Sequence, residues 1–183
     1  MVMARPSTRD EILRIATLQF ARSGYKGASL QDIAHGVGCS KATLLYHFAG
    51  KEAILQELVA PAVRDLADLV ARLQTLDDAT ARAAAIDGFV DLVLRYRHEV
   101  SLIYGAIPQF QQDPAFESVR PHTDQLCAAF TGRSADPADI IAAEVLLAGI
   151  AGVAIDDERD AAQLRPALIA VARRALIPPP DKD

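Results

Sequence analysis

Residues 36–51 read GVGCSKATLLYHFAGK, and this stretch decides the fold of the N-terminal part of the chain. Ser40 is a strong helix-capping residue type, so the residues after it predict a short helix over 41–47. Gly38 permits the positive φ of a tight turn. A second capping pattern predicts another short helix over about 29–36, just before that turn. Two short helices joined by a short turn form a helix-turn-helix.

The predicted helix at 41–47 has two unlike faces. Leu44, His47 and Phe48 recur at helical spacing and predict the face that packs inward. The opposite face carries one cation, two aliphatic side chains and a phenol: Lys41, Ala42, Leu45 and Tyr46. In a helix-turn-helix this second face enters the major groove, where lysine donates to guanine and apolar groups meet thymine methyls.

Contacts to phosphate are predicted around the same helix. Thr43 and Tyr46 carry hydroxyls that can reach the backbone of the duplex, and Lys51 begins the next helix as a predicted phosphate clamp. Charge agrees with this placement. Residues 1–55 hold seven Lys/Arg and four Asp/Glu, a net of +3, so the remainder of the −5 chain carries −8. A basic N-terminal part suits a module that binds a polyanion.

The rest of the chain predicts an all-α protein. The first helix is predicted over 8–23, with Gly24 as its C-terminal stop. Apolar residues then recur at helical spacing in six longer segments, 51–74, 79–97, 99–106, 114–131, 137–155 and 160–176. Pro61 is expected to kink or break the first of these segments. Asp136-Pro137 predicts an N-cap followed by proline at the first helical position.

Several classes of protein are disfavoured. The sequence contains no H-E-x-x-H, G-x-S-x-G, Glu-x-x-His pair or phosphate-cradling glycine loop, so we predict neither an enzyme nor a metal site or cofactor. Cys39 and Cys127 lie in unrelated contexts and predict free thiols. The N-terminus meets charge before any apolar run, and the apolar stretch 140–155 is about 16 residues, so we expect a cytoplasmic protein without a membrane span.

Residues 8–58 resemble the N-terminal DNA-binding domain of TetR-family transcriptional regulators. The matching positions are Ile12-Leu13, Ala16, Phe20, Gly24-Tyr25, Ile33-Ala34, Gly38-Cys39-Ser40, Thr43-Leu44, His47-Phe48, Lys51-Glu52 and Ile54-Leu55. The chain departs from the family pattern where Leu45 replaces the usual tyrosine and Cys39 the usual valine. Which of Leu45 and Tyr46 makes the main DNA contact is therefore left open.

The resemblance implies a base-reading role for Lys41, Ala42, Leu45 and Gln31, and phosphate contacts for Thr43, Tyr46 and Lys51. The full set of predicted DNA-binding residues is Ser29, Gln31, Ser40, Lys41, Ala42, Thr43, Leu45, Tyr46 and Lys51. It also implies two domains, a helix-turn-helix domain over 1–50 and a helical effector-binding and dimerisation domain over 51–183. The expected partner is an operator in double-stranded DNA.

The resemblance further implies a homodimer formed through the last two long helices, about 137–155 and 160–176. Small residues, among them Gly149 and Gly152, allow close packing there, although the same residues also suit the core of a monomeric bundle. A small apolar or amphipathic effector is expected in a mostly apolar pocket. The candidate lining residues, each of which also suits an ordinary core, are Phe89, Val93, Tyr96, Ile103, Tyr104, Phe110, Phe116, His122, Cys127 and Phe130.

Together these features predict a homodimeric repressor that a small-molecule effector releases from its operator. The alternative is a DNA-binding regulator that acts without an effector, through a protein partner, architecturally or as an activator.

Overall fold

The structure is a computed structural model and describes residues 7–105, 117 and 119–176. These residues form helices and connecting turns, with no strand among them. The helices are α1 (Thr8–Gly27), α2 (Leu30–Val37), α3 (Lys41–His47), α4 (Lys51–Leu73), α5 (Asp78–Arg95), α6 (Arg97–Gly105), α7 (Arg120–Phe130), α8 (Pro137–Asp156) and α9 (Ala161–Leu176). The predicted all-α fold is confirmed.

The chain divides into two compact units. The first comprises Met1–Pro61 with Ser101–Glu117, and the second comprises Ala62–Val100 with Ser118–Asp183. Helix α4 therefore begins in the first unit and ends in the second. It is one helix from Lys51 to Leu73 with Pro61 inside it, so of the kink or break that the sequence predicts at this proline, the break does not occur.

The capping residues and the glycine that the sequence indicates define the two ends of the first helical segment. Ser7 and Asp10 form a capping box at the start of α1, each bonding the backbone N–H of the other. Gly24 adopts φ 69° and ψ 162°, a conformation open to glycine. The regular helix is interrupted at Gly24, as predicted, and the chain resumes helical turns beyond this kink as far as Gly27.

Glycine also sets the distance between α1 and α2. A Cβ placed on Gly36 would lie 2.7 Å from Cγ2 of Ile15, closer than real Cβ contacts. The two helices therefore pack with backbone against side chain at this point. Ile12, Ala16, Ile33, Ala34 and Leu44 are each 0% exposed and form the small core beneath the helix-turn-helix.

In the second unit α5 packs against α7, α8 and α9. Arginine side chains bind several of the helix ends. Arg82 of α5 donates to the carbonyls of Thr131 (2.6 Å) and Leu176 (3.1 Å), at the C-termini of α7 and α9. Arg133, held at a positive φ of 60°, donates to the carbonyls of Leu73 at the end of α4 and of Leu76 in the turn that follows, and pairs with Asp78. Cations at helix C-termini are favoured by the helix dipole.

Helix α8 is the most apolar helix of the second unit, yet most of it is exposed. Only Ala143, Ile150, Ala151 and Ala154 are buried. By length and composition alone, the helix Pro137–Asp156 is long and apolar enough to cross a bilayer, and an 18-residue window within it has a mean hydropathy of 2.1. The stretch 140–155 on which the sequence-based length argument rests is therefore shorter than the helix. The buried share of 22% shows that α8 is not simply a core helix.

Candidate DNA-binding surface

The turn between α2 and α3 is held by the residues that the sequence singles out. Gly38 has φ 78° and ψ 28°, the left-handed conformation, and its N–H bonds the last turn of α2. Ser29 and Ser40 cap α2 and α3, accepting the N–H groups of Asp32 (3.1 Å) and Thr43 (3.0 Å). The predicted bounds of the third helix, 41–47, are confirmed.

The two faces of α3 are those predicted. Leu44 is fully buried, Phe48 is 4% exposed, and His47 is half-buried. The exposed face holds the remaining residues of the helix, Lys41, Ala42, Thr43, Leu45 and Tyr46. Tyr46 is 86% exposed and Leu45 is 42% exposed. The Tyr46 ring stands edge-on to the His47 ring, with their centroids 5.3 Å apart.

Ser40 and Thr43 are engaged within the protein. The Ser40 hydroxyl accepts the Thr43 N–H and lies 2.9 Å from the Thr43 hydroxyl. Both hydroxyls therefore belong to the cap of α3. Gln31 and Ser29 are exposed near the start of α2, and the Ser29 hydroxyl donates to the Asp32 carboxylate at 2.6 Å.

Lys51 is placed differently from a free phosphate clamp. Its ammonium donates to the carbonyls of Tyr25 (2.6 Å), Ala28 (3.0 Å) and Lys26 (3.4 Å), and lies 4.5 Å from the centre of the Tyr25 ring. An ammonium has three protons, and three carbonyls at the end of α1 receive them. The sequence alone could not indicate these partners, because 23 or more residues separate them from Lys51.

Other cations of the N-terminal part are also paired. Arg9 donates to Glu57 at 2.8 Å and lies 4.8 Å above the Phe48 ring. Arg14 bonds Glu11 one turn earlier on α1. Within residues 7–55, the cations that form no hydrogen bond or ion pair to described residues are Arg22, Lys26 and Lys41. The charge that can reach phosphate is therefore smaller than a count of Lys and Arg predicts.

The predicted effector residues do not line one open cavity among the described residues. Val93 is 1% exposed and Phe130 is fully buried, with the Phe89 ring edge-on to Phe130 at 5.8 Å. Ile103, Tyr104, His122 and Cys127 are half-buried, and Phe110 and Phe116 lie outside the described residues. Burial raises the pKa of the Tyr104 phenol and of the Cys127 thiol, and Glu144 and Asp124 add to the latter rise.

Tyr96 has a polar partner of its own. Its hydroxyl donates to the Asp65 carboxylate at 2.8 Å, and this bond lowers the pKa of Asp65 and raises that of Tyr96. Asp65 also lines a cleft of about 710 Å³ in the second unit, which sequence reasoning missed. Charged side chains and a leucine floor line this cleft, and none of the predicted effector residues is among them: Asp65, Asp68, Leu69, Arg72, Gly88, Asp91, Leu92, Leu94, Arg95, Ala161 and Arg165.

Comparison with known proteins agrees with the geometry of α1–α4. Residues 12–58 match the sequence profile of the bacterial regulatory proteins of the tetR family. Over 103 residues the chain is 34% identical to the HTH-type transcriptional repressor KstR2 of Mycolicibacterium smegmatis, covering 54% of this chain and 48% of the relative. Over 51 residues, 28% of this chain and 27% of the relative, it is 41% identical to the negative regulator IcaR of the Staphylococcus aureus biofilm operon icaADBC. The chain thus spans about half the length of the first relative.

Solved structures extend the likeness of fold across the whole chain. The ketosteroid transcriptional regulator KstR2 of Mycobacterium tuberculosis superposes with a TM-score of 0.72 at 16% identity, covering 92% of this chain and 94% of that one. SCO3833 of Streptomyces coelicolor, described as a member of the TetR family, gives 0.70 at 20% identity, covering 98% and 96%. Residues 12–58 thus match the tetR family of bacterial regulatory proteins, and the rest of the chain shares the fold of these solved structures.

Proposed function

We propose that the protein is a homodimeric repressor that binds an operator in double-stranded DNA through α3. The observation that carries this proposal is α3, which is capped at Ser40, seated by the fully buried Leu44 and exposed on its other side. A protein of this kind acts in the cytoplasm, where bacterial DNA is accessible. Lys41, Ala42 and Leu45 are proposed to read bases together with Gln31 of α2.

Two copies are needed for a specific site. A single seven-residue helix contacts few base pairs, whereas a two-fold dimer presents two such helices about 34–36 Å apart on one face of the duplex. The symmetry of the dimer then sets the symmetry and spacing of the operator. The proposal therefore requires a surface that pairs with itself.

The exposed face of α8 supports such a surface. Ile141 and Val145 are 59% and 64% exposed, and they lie one helical turn apart. A Cβ on Gly149 or Gly152 would have nothing within 4 Å, so both glycines border open space. These four residues recur at i, i+4, i+8 and i+11 and form an apolar stripe, which we call the α8 stripe. An exposed apolar stripe with glycines suits close packing against an identical helix.

The α8 stripe could also meet a bilayer, since the helix is long and apolar enough. Asp139 and Glu144 argue for the dimer instead, because both are exposed on α8 and a carboxylate inside hydrocarbon is strongly unfavourable. Mass measurement on the purified protein without detergent distinguishes these two cases. A soluble dimer supports the proposal, and a protein that requires detergent or vesicles contradicts it.

A small apolar or amphipathic effector is the second part of the proposal. By linkage, an effector that prefers a conformation with wrongly spaced reading helices lowers operator affinity, typically by about 5- to 150-fold. The packing of Val93 and Phe130 favours the alternative, a regulator without an effector, since binding at these residues would require their side chains to move. A thermal-shift screen separates the two: no stabilising compound among apolar and amphipathic small molecules would favour the alternative.

The main test is direct. The purified full chain is incubated with fragmented DNA from its own genome, and the retained fragments are sequenced and footprinted. We expect one or a few sites with two-fold symmetry and a protein mass of two chains on each site. Retention of all fragments alike would overturn the proposed function.

A further inference from the structure

The exposed face of α3 is poor in groups that can hydrogen-bond to bases. Thr43 and the preceding Ser40 use their hydroxyls on each other and on the backbone of the cap. The imidazole of His47 is half-buried on the packing face, so the polar groups that remain on the exposed face of α3 are the ammonium of Lys41 and the hydroxyl of Tyr46. Neither forms a hydrogen bond to any of the residues that the structure describes.

The geometry of the helix places apolar atoms at the centre of this face. Successive residues are about 100° apart around a helix, so positions 42 and 46 point most directly away from the buried Leu44. Ala42 contributes a methyl group and Tyr46 an aromatic ring that is 86% exposed. Leu45 and Lys41, four residues apart, flank this centre on one side. Three of these four side chains therefore present mostly carbon to the groove.

Most of the side-chain types that usually read bases by two hydrogen bonds are missing from α3. Arginine and lysine pair with guanine, asparagine and glutamine pair with adenine, and carboxylates accept from cytosine. Of these residue types Lys41–His47 contains one, Lys41, and the one exposed carboxamide nearby is Gln31 on α2. At the base edges of the major groove, the apolar group that carbon can recognise is the C5 methyl of thymine.

We infer that α3 reads its operator mainly through thymine methyl groups, which contact Ala42, Leu45 and the ring of Tyr46. Lys41 supplies the charged contact of this helix. The inference rests on the proposed function, because it specifies what the proposed DNA-binding surface recognises. It also assigns base contact to both Leu45 and Tyr46, with the methyl of thymine as their shared target.

The test removes methyl groups without changing base pairing. A preferred site is first selected from a random duplex library with the full-length protein at fixed salt. Each thymine of that site is then replaced by uracil, symmetrically in both half-sites. Loss of a buried methyl weakens binding about fourfold, so a symmetric pair should weaken it about 15-fold. Replacing the same T·A pair by 5-methylcytosine·G, which keeps a methyl at C5, should weaken binding less than replacement by unmethylated cytosine·guanine.

Protein variants then show which side chain of α3 contacts each thymine methyl group. Leu45→Ala, Tyr46→Ala and Tyr46→Phe are each measured on thymine and uracil duplexes. We expect the uracil effect at one position to fall below about twofold in Leu45→Ala or Tyr46→Ala, because the variant no longer contacts that methyl. Tyr46→Phe keeps the ring and should retain the full uracil effect. Leu18→Ala, at a 49% exposed position on α1, serves as the matched control and should change nothing.

The outcomes separate the inference from the function on which it rests. A defined site that tolerates uracil at every position overturns methyl reading and leaves the DNA-binding regulator intact. Uracil effects that persist in full in both alanine variants also overturn the assignment to these side chains. A selection that returns no preferred sequence overturns the proposed function together with the inference. Circular dichroism of each variant confirms that the helices remain folded.

Discussion

Two exposed apolar surfaces of the molecule differ in length, in chemistry and in what surrounds them. The face of α3 spans seven residues and mixes carbon with one ammonium and one phenol. The α8 stripe extends over three turns of a 20-residue helix and contains aliphatic side chains and glycine alone. A short face that mixes polar and apolar groups suits binding to DNA, whose surface is charged and hydrated. A long, wholly apolar stripe suits packing against the same stripe of a second subunit. The same hydrophobic exposure thus indicates different partners.

The largest expected effect comes from placing a charge on the α8 stripe. In Val145→Glu a two-fold interface would bury two unpaired carboxylates, one from each subunit. We expect a monomer by light scattering at micromolar concentration and a loss of operator affinity of at least about 100-fold. Ala79→Glu, exposed in the first turn of α5, is the matched control and should remain dimeric. A Val145→Glu dimer with normal affinity would exclude the α8 stripe as the interface.

Gly36→Ala tests the close packing of α1 against α2, the two helices that support α3. The new Cβ would lie 2.7 Å from Ile15 Cγ2, and we expect this overpacking to lower the free energy of unfolding by about 1–3 kcal/mol despite the better helix propensity of alanine. Gly27→Ala is the control, since its Cβ meets Ser23 Cβ at an ordinary 3.4 Å. Chemical denaturation measures both. Equal stability of the two variants would contradict the close packing of α1 and α2.

Lys51→Ala distinguishes a structural role from a role in DNA binding. Loss of the ammonium leaves the carbonyls of Tyr25, Lys26 and Ala28 without their donor, so we expect a stability loss of about 1–3 kcal/mol. We expect the salt dependence of operator binding to stay the same, because the ammonium is already occupied. A slope that falls by about one unit per contact, with unchanged stability, would instead establish the phosphate clamp that the sequence predicts.

The salt dependence of the wild type tests the reduced charge of the N-terminal surface. If Arg22, Lys26 and Lys41 of each subunit contact phosphate, a dimer makes about six such contacts. The slope of log K against log salt is then about −5. Titration by fluorescence anisotropy at several salt concentrations measures it. A slope steeper than about −9 would show that the paired cations Arg9 and Arg14 also leave their carboxylates to bind DNA.

The smallest effect concerns the turn after α8. Hydrogen bonds from Arg159 lower the pKa of Asp157 from 3.8 to about 2. A carboxyl group whose pKa is lower in the folded state stabilises the fold above its unfolded pKa, and that contribution disappears as the pH falls from about 4 towards 2. Because the partners are two residues apart, the effect should be small. Thermal melting of Asp157→Asn should match the wild type near pH 2 and lie slightly below it at pH 7.

The sequence predicts well what neighbouring residues determine. Ser29, Ser40 and Gly38 act through bonds within a few residues, and the bounds of α3 follow from them. Contacts between distant segments could not be read in the same way. The carbonyl partners of Lys51 and the ion pair of Arg9 with Glu57 exist only once the helices have packed, so the sequence overstates the free positive charge.

The second unit shows the same limit on a larger scale. The helical period of 137–155 predicts a helix but not which of its apolar residues the fold leaves open, since that depends on where α5 and α9 lie. Aromatic and aliphatic residues such as Phe130 have the same pattern in a core and in a pocket. The candidate effector site was therefore the least predictable part of the molecule from sequence.

The guanidinium of Arg82 on α5 links the C-termini of α7 and α9 through hydrogen bonds to their carbonyls. Leu176, whose carbonyl it binds, is 94 residues away from it along the chain. Truncation before Leu176 would remove this acceptor and leave the Arg82 guanidinium with the Thr131 carbonyl, so a chain shortened within α9 should be less stable in the second unit.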